Sequence, residues 1–278
     1  MRALLDREYL ERKVREALDE DRADDDVTTA AVVPPGLWAE AVLLARADGV
    51  VAGLEVAEEV FRQVDAGVAF EAAVADGARV AGGDVLARVR GPLASLLRAE
   101  RTALNFLQQL SGVATLTRRF VDAAGRAAVL DTRKTAPGLR ALQRRAVRAG
   151  GGVNHRSDLS DAVLVKDNHV AAAGGTAAAI RLARRSGRPV EVEVESLEEL
   201  DVALAERAET VLLDNMTPAQ VAQAMRRTAG RAVLEVSGGV TLATVAAYAA
   251  TGVDRISIGA LTHSAPALDI SMEVTRTW

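Results

Sequence analysis

From Glu100 onward, short apolar runs alternate with helical segments, and this repeat constrains the fold more than any other feature of the chain. The runs are Ala127–Leu130, Ala162–Val165, Val190–Val194, Val211–Leu213, Ala232–Val236 and Arg255–Ile258. Strand-then-helix alternation predicts a parallel sheet with helical crossovers. A long helix precedes the repeat, with Ala103, Leu107, Leu110 and Ala114 at helical spacing, and reaches Ala124. Polar groups follow the strands: Asp131-Thr-Arg-Lys, Lys166-Asp-Asn-His, Glu195, Asp214-Asn215, Ser237-Gly-Gly and Gly259. Function at the C-terminal ends of parallel strands is the rule for α/β barrels. Six runs fall short of eight, so a closed eightfold barrel is not expected.

The first hundred residues read as a mixed α+β domain. Residues 1–20 have the spacing of an amphipathic helix, with Leu4, Leu5, Tyr9, Val14, Ala17 and Leu18 near one side. Asp24–Asp26 reads as an acidic loop with a helix cap. Trp38–Ala45 and Val85–Val89 look like strands, and Leu54–Val64 like a helix between them. Asp48-Gly49, Asp76-Gly77 and Gly82-Gly83 mark turns. The C-terminal piece Asp269–Trp278 is expected to pack back on this first domain.

Composition removes several classes of function. Aromatics are only 3% of the chain, so Ala, Val and Leu must fill the core. Without Cys there is no disulfide framework, thiolate zinc site or cysteine nucleophile. The charged N-terminus has no apolar segment of the secretory kind, and no apolar run reaches the roughly 18 residues that span a membrane. A soluble, cytoplasmic protein with no membrane partner is expected. A net charge of −4 with few aromatics argues against nucleic acid as a partner.

Within this acidic chain, Asp131–His169 is locally basic. It holds Lys134 and Lys166, two of only three lysines, and His155 and His169, two of three histidines. Lys is a compact ammonium that tolerates desolvation, whereas Arg is a planar fork for carboxylate or phosphate. The stretch offers both kinds, in DTRKTAPGLR, GGGVNHRSDL and VKDNH, and reads as a pocket for a polyanion. His155 follows three glycines and precedes Arg156, as in a binding loop; His169 serves equally as a ligand or as a local cap. Arg140, Arg144, Arg145 and Arg148 fall at helical spacing and read mostly as a solvated face or a subunit contact.

Two glycine turns, Ser237-Gly238-Gly239 and Ile258-Gly259-Ala260, follow consecutive strands. Small residues let backbone N–H groups approach a phosphate, and the last two strands of a barrel are a common place for one. Glu195 and Asp214 end their strands and are expected to point into the same mouth, where hard oxygen ligands suit Mg2+. Glu191 and Glu193 share the parity of Glu195. Facing a barrel interior they need cationic partners, for which Lys134 and Lys166 are candidates.

Taken together, Glu100-Arg-Thr-Ala-Leu-Asn-Phe, DTRKT, GGGxNHR, KDNH, EVE at 193–195, LLDNM at 212–216, SGG and GVDRISIGALTHS at 252–264 resemble the quinolinate phosphoribosyltransferase family over nearly the whole chain. Two positions depart from the family pattern: Ala136 stands where a second Thr is usual, and Asp25 where Gly is usual. The resemblance implies an α/β sandwich domain (1–102 and 267–278) joined to an open, irregular α/β barrel of about six parallel strands (103–266). It implies transfer of phosphoribose from phosphoribosyl pyrophosphate to quinolinate with decarboxylation, a step of de novo NAD biosynthesis, with Mg2+ as cofactor. It also implies a homodimer in which Arg101 reaches the partner's site.

By that resemblance Arg101, Thr132, Arg133, His155, Arg156 and Lys166 bind quinolinate. Lys134 stands between quinolinate and the pyrophosphate and is catalytic together with Glu195 and Asp214. These two acids contact the ribose hydroxyls and the Mg2+, directly or through water. Ser237, Gly238, Gly239, Ser257, Ile258, Gly259 and His263 cradle phosphate. The alternatives that stay open are a paralogue of the same fold (one encoded in molybdenum-transport loci, or a nicotinate phosphoribosyltransferase) and a non-catalytic phosphometabolite-binding barrel.

Overall fold

The computed structural model describes residues 6–278, so Leu4 and Leu5 of the expected first helix lie outside the described residues. The chain forms two compact units. The first runs to Leu116 and takes in Pro137–Gly151 and Ala265–Trp278; the second is Thr117–Ala136 with Gly152–Ser264.

The first unit opens with helix α1 (Arg7–Asp21), which buries Leu10, Val14 and Leu18 at the i, i+4, i+8 spacing of one helical face. Asp26 caps the short helix α2 (Val27–Val32), its carboxylate accepting the N–H groups of Thr28 and Thr29, both at 3.0 Å. The acidic run therefore has a local structural role. Strand β1 (Trp38–Ala45) matches its expected span, and so does helix α3 (Leu54–Val64) after the short strand β2 (Gly49–Val50). Strands β3 (Ala69–Ala72), β4 (Arg79–Val80) and β5 (Val85–Pro92) complete this stretch. The C-terminal strand β12 (Ile270–Thr277) pairs antiparallel with β1, giving a four-stranded sheet in the order β12-β1-β5-β3. The C-terminal piece does pack on the first domain.

Helix α4 spans Leu93–Ala124, beginning directly after β5 and ending where the apolar spacing places its end. Ser111 and Thr115, one turn apart, turn their hydroxyls to the backbone N–H groups of Ala52 (3.0 Å) and Val50 (2.8 Å). This polar stripe on a helix that the apolar periodicity alone describes pins the chain around β2. Helix α5 (Arg140–Ala149) clusters with the first unit, whereas the domain bounds implied by the resemblance include it in 103–266. Its arginines are not one solvated face: Arg144 is buried and Arg145 pairs with Glu55.

The second unit is a six-stranded parallel sheet. Its strands are β6 (Ala128–Leu130), β7 (Val163–Val165), β8 (Val190–Val194), β9 (Thr210–Asp214), β10 (Val233–Ser237) and β11 (Arg255–Ser257). Each falls on a predicted run. The order β6-β11-β10-β9-β8-β7 makes β6 and β7, consecutive in sequence, the two edges. That is the order of a six-stranded barrel opened along one seam. Into the seam comes the glycine loop: Val153 bridges Leu130 in parallel fashion, donating to Val129 O at 2.8 Å and accepting from Asp131 N–H at 3.2 Å. The crossovers are helical: α6 (Asp167–Ala173) and α7 (Thr176–Arg184), α8 (Leu197–Ala205), α9 (Pro218–Thr228) and α10 (Val245–Ala249); α11 (Ala260–His263) follows β11. Val192, Val194, Val211, Leu213, Leu234, Val236 and Ile256 are buried. Among the described residues no helix is long and apolar enough to cross a membrane.

Candidate active site

The period of two along a strand decides which side chains reach the barrel interior. On β7 these are Leu164 and, just past the strand, Lys166; on β8, Glu191 and Glu193; on β9, Leu212 and Asp214; on β10, Glu235 and Ser237; on β11, Ser257. The parallel register aligns Leu164 with Glu191, Glu193 with Leu212 and Glu235, and Asp214 with Ser237. A cavity of about 410 Å³ results, lined by Thr132, Arg133, Lys134, His155, Arg156, Leu164, Lys166, Glu193, Leu212, Asp214, Glu235, Ser237 and Ser257. Nine of the residues expected to act are brought together here.

The cations are held by named contacts. The Asp131 carboxylate, fully buried, accepts from Asn154 Nδ2 at 2.5 Å and from the His155 backbone N–H at 2.8 Å, which fixes the glycine loop at the end of β6. Arg156, half-buried, donates from Nη1 to Ala162 O at 2.9 Å. Burial, and then the neighbouring Arg133 guanidinium, lower the Arg156 pKa. Two guanidinium groups crowded this way favour an anion between them. Lys166 pairs with Glu193, as expected from strand parity. Glu191, however, finds no lysine. Its partner is His155, with Nε2 2.9 Å from Glu191 Oε2 and 3.3 Å from Glu235 Oε1. Burial works against a charge on this imidazole, but the two carboxylates outweigh it and lift its pKa to about 10. The Arg156 N–H directed at Nδ1, 2.7 Å away, opposes a second ring proton. Nδ1 is thus an acceptor, and the ring faces the two carboxylates through Nε2.

Lys134 is exposed at the loop after β6. Its N–H donates to Thr132 Oγ1 at 3.1 Å, and its carbonyl accepts from Thr262 Oγ1 at 2.7 Å. A Cβ built on Gly259 would stand 3.1 Å from Lys134 Cδ and 3.2 Å from His263 Nε2. Lys134, Gly259 and His263 are thus neighbours, although Gly259 and His263 do not line the cavity itself. Gly238 has φ +94°, and a Cβ there would meet Asn215 Oδ1 at 2.1 Å. Gly238→Ala is therefore expected to cost about 2 kcal/mol or more, seen as a drop of several degrees in thermal midpoint. An unchanged midpoint would refute this account of the turn. The helix behind each glycine turn is short: α10 starts at Val245, and α11 is one turn.

Other expected residues stand apart. Glu195 lies one position beyond β8, exposed, with its N–H donating to Glu199 at 2.7 Å; Glu193 is the residue that faces the cavity. Gly239 and Ile258 are likewise not cavity-lining. His169 Nδ1 accepts the Lys166 backbone N–H at 3.0 Å, so it caps α6. Arg101 is exposed on α4 in the first unit, beside Arg98 and the Asp21–Val27 segment. Two residues of the site go beyond those expected from the sequence: Asp131 as an anchor and Glu235 as a cavity carboxylate. Parity with Ser237 was the available signal for Glu235.

The second unit is thus an open α/β barrel whose cavity gathers cations and carboxylates at the strand ends. Residues 26–111 match the family model described as quinolinate phosphoribosyl transferase, N-terminal domain, and residues 113–273 match that of the C-terminal domain. The chain belongs to the quinolinate phosphoribosyltransferase family. It is 48% identical over 273 residues to the nicotinate-nucleotide pyrophosphorylase (carboxylating) of Mycobacterium leprae, covering 94% of this chain and 95% of that one. It is 42% identical to quinolinate phosphoribosyltransferase (decarboxylating) 1b of Nicotiana tabacum, over 93% of this chain and 80% of that one. The solved nicotinate-nucleotide pyrophosphorylase of Francisella tularensis is 39% identical and superposes with a TM-score of 0.94 over 98% of both chains.

Proposed function

We propose that this chain joins quinolinate to phosphoribosyl pyrophosphate, giving nicotinate mononucleotide, pyrophosphate and CO2. The observation that carries the reading is the convergence of Arg133, Lys134, Arg156 and Lys166 on one cavity that also presents Asp214 and Glu193. A single monocarboxylate offers only one anionic group to these four cations. A dicarboxylate with a diphosphate matches them.

Arg133, Arg156 and Lys166 hold the two carboxylates, with Thr132 and His155 beside them. The pyridine nitrogen attacks ribose C1 as pyrophosphate departs from the opposite face. Positive charge grows on the ribose and negative charge on the leaving group. Asp214 stands for the first and Lys134 for the second, an arrangement of electrostatic stabilisation without a covalent enzyme intermediate. Holding two anionic substrates in line supplies much of the remaining rate. Alkylation makes the ring nitrogen cationic, so the C2–carboxylate bond can break with its electron pair left on C2; CO2 leaves and a proton takes its place. Ser237, Gly238, Gly239, Ser257, Ile258, Gly259 and His263 take the 5′-phosphate.

Mg2+ fits the donor set. One Asp214 oxygen accepts from Asn215 Nδ2 at 2.6 Å, leaving the other for a hydrated cation, and Glu195 is exposed. When bound, the ion neutralises charge on the pyrophosphate. The working form in this reading is a cytoplasmic homodimer. An exposed Arg101 is available to a second subunit.

The direct test mixes protein, quinolinate, phosphoribosyl pyrophosphate and Mg2+, with nicotinate as a parallel substrate. Stoichiometric pyrophosphate and CO2 from quinolinate alone is the expected result; pyrophosphate from nicotinate alone would move the chain to a sibling activity. For the shared site, mixing inactive Arg101→Ala with inactive Lys134→Ala subunits is expected to restore part of the activity. No recovery in confirmed mixed dimers would mean that Arg101 serves its own chain.

A further inference from the structure

Among the described residues, four other than glycine adopt a positive φ: Arg22, Arg207, Asn215 and Ala229. Three of them stand at helix ends, where a left-handed residue is an ordinary stop: Arg22 after α1, Arg207 after α8 and Ala229 after α9. Asn215, at φ 54°, instead follows strand β9, directly after Asp214 in the cavity wall. No helix end accounts for it, so its backbone is dictated by its surroundings. Those surroundings belong to β10 and the glycine turn behind it. The Asn215 backbone N–H donates to Ser237 O at 2.9 Å, one step beyond the Asp214–Ser237 pair of the parallel ladder. The side chain lies across Gly238: a Cβ built there would overlap Oδ1 and stand 2.7 Å from Cγ. The other arm of the same amide, Nδ2, donates to Asp214 Oδ2 at 2.6 Å. Met216 is buried and Thr217 opens the capping box of α9, so the chain is held beyond the turn as well.

We propose that Asn215 is a positioning residue that couples the glycine turn to Asp214: its amide rests in the notch left by Gly238 and, through Nδ2, sets the rotation of the Asp214 carboxylate. The proposal rests on the reading above, in which the turn takes the 5′-phosphate and Asp214 faces the ribose. A carboxamide is rigid and planar, so a displacement of the turn at one edge is carried to the carboxylate at the other. The phosphate end and the ribose end of one substrate are thereby held in a fixed relation. Asparagine meets every demand of the position. It tolerates a left-handed backbone, it carries a donor that reaches its neighbour, and it is flat enough to pass over a glycine. Aspartate lacks the donor, and glycine lacks the side chain.

A double-mutant cycle on the full-length enzyme, read by kinetics and by thermal unfolding, tests this. Asn215→Gly keeps the left-handed backbone and removes the amide. It is expected to lower kcat about tenfold, with both substrate KM values within about threefold. Asn215→Asp keeps shape and turn but loses the donor, and should lower kcat at least as far. Gly238→Ala alone pushes the amide aside and should lower kcat in the same range. Added to Asn215→Gly, it should lower kcat by no more than a further factor of about two. It should also lower the thermal midpoint less than it does in the unmodified protein, because the side chain it meets is gone. If Gly238→Ala does not fold alone, the two Asn215 variants carry the kinetic test. An unchanged kcat in Asn215→Gly, full activity in Asn215→Asp, or losses that multiply in the double variant would overturn the proposal. So would a loss confined to the phosphoribosyl pyrophosphate KM, which would make Asn215 a substrate ligand. Failure of the quinolinate assignment is distinguishable, since the unmodified protein would then show no turnover of quinolinate while the thermal cycle still reported the contact between Asn215 and Gly238.

Discussion

Replacing Lys134 by alanine is expected to lower kcat by about 100-fold or more while changing the quinolinate KM only a few-fold. The expectation follows from where the side chain stands. Its backbone is held at one side by Thr132 and at the other by Thr262, and its aliphatic stem lies against Gly259, at the end of the site assigned to phosphate. It lies beside the guanidinium pair without being part of it. Its charge therefore counts most when pyrophosphate departs, a moment at which the ground-state complex has nothing comparable to lose. Steady-state assays of pyrophosphate release across both substrates give the answer. Turnover within a few-fold of the unmodified enzyme would remove Lys134 from the chemical step. Gly259 bears on the same result, because any side chain there must push Lys134 or His263 aside.

The second large effect is on binding. Arg156→Ala is expected to raise the quinolinate dissociation constant about 100-fold, as loss of one half-buried partner of a charge pair does. Arg156→Lys should recover only part of this, because an ammonium cannot reproduce the planar fork or keep the contact to Ala162 O in the same geometry. Equilibrium titration with quinolinate in the absence of the second substrate isolates the effect from turnover. An unchanged titration curve for the alanine variant would exclude Arg156 from the site.

The strands of the second unit were legible in the sequence because each apolar run is bounded by a polar residue or glycine, and both the period and the punctuation survive in three dimensions. The residues at strand ends were legible for the same reason. What misled was the choice of end. Glu195 closes the alternating pattern in the sequence, but the β8 ladder stops at Val194: Glu193 lines the cavity, whereas Glu195 is exposed one position beyond the strand, its backbone N–H donating to Glu199. Glu235 was hidden by its neighbours, lying inside an apolar run whose hydropathy masked a single inward carboxylate. The first turns of α4 leave no periodic signal, because Leu93–Ala99 is apolar on more than one side. The affiliation of α5 with the first unit, and the burial of Arg144, depend on packing between segments distant in the chain, which no local pattern records.

The seam between β6 and β7 changes what a bound substrate is to this barrel. Arg133 follows one lip, Lys166 follows the other, and Arg156 stands on the loop between them. A dicarboxylate that engages all three bridges edges that no backbone ladder joins, and so serves as a closing strut supplied from solution. Such a ligand binds the folded barrel alone, so its binding is expected to raise the barrel's thermal midpoint.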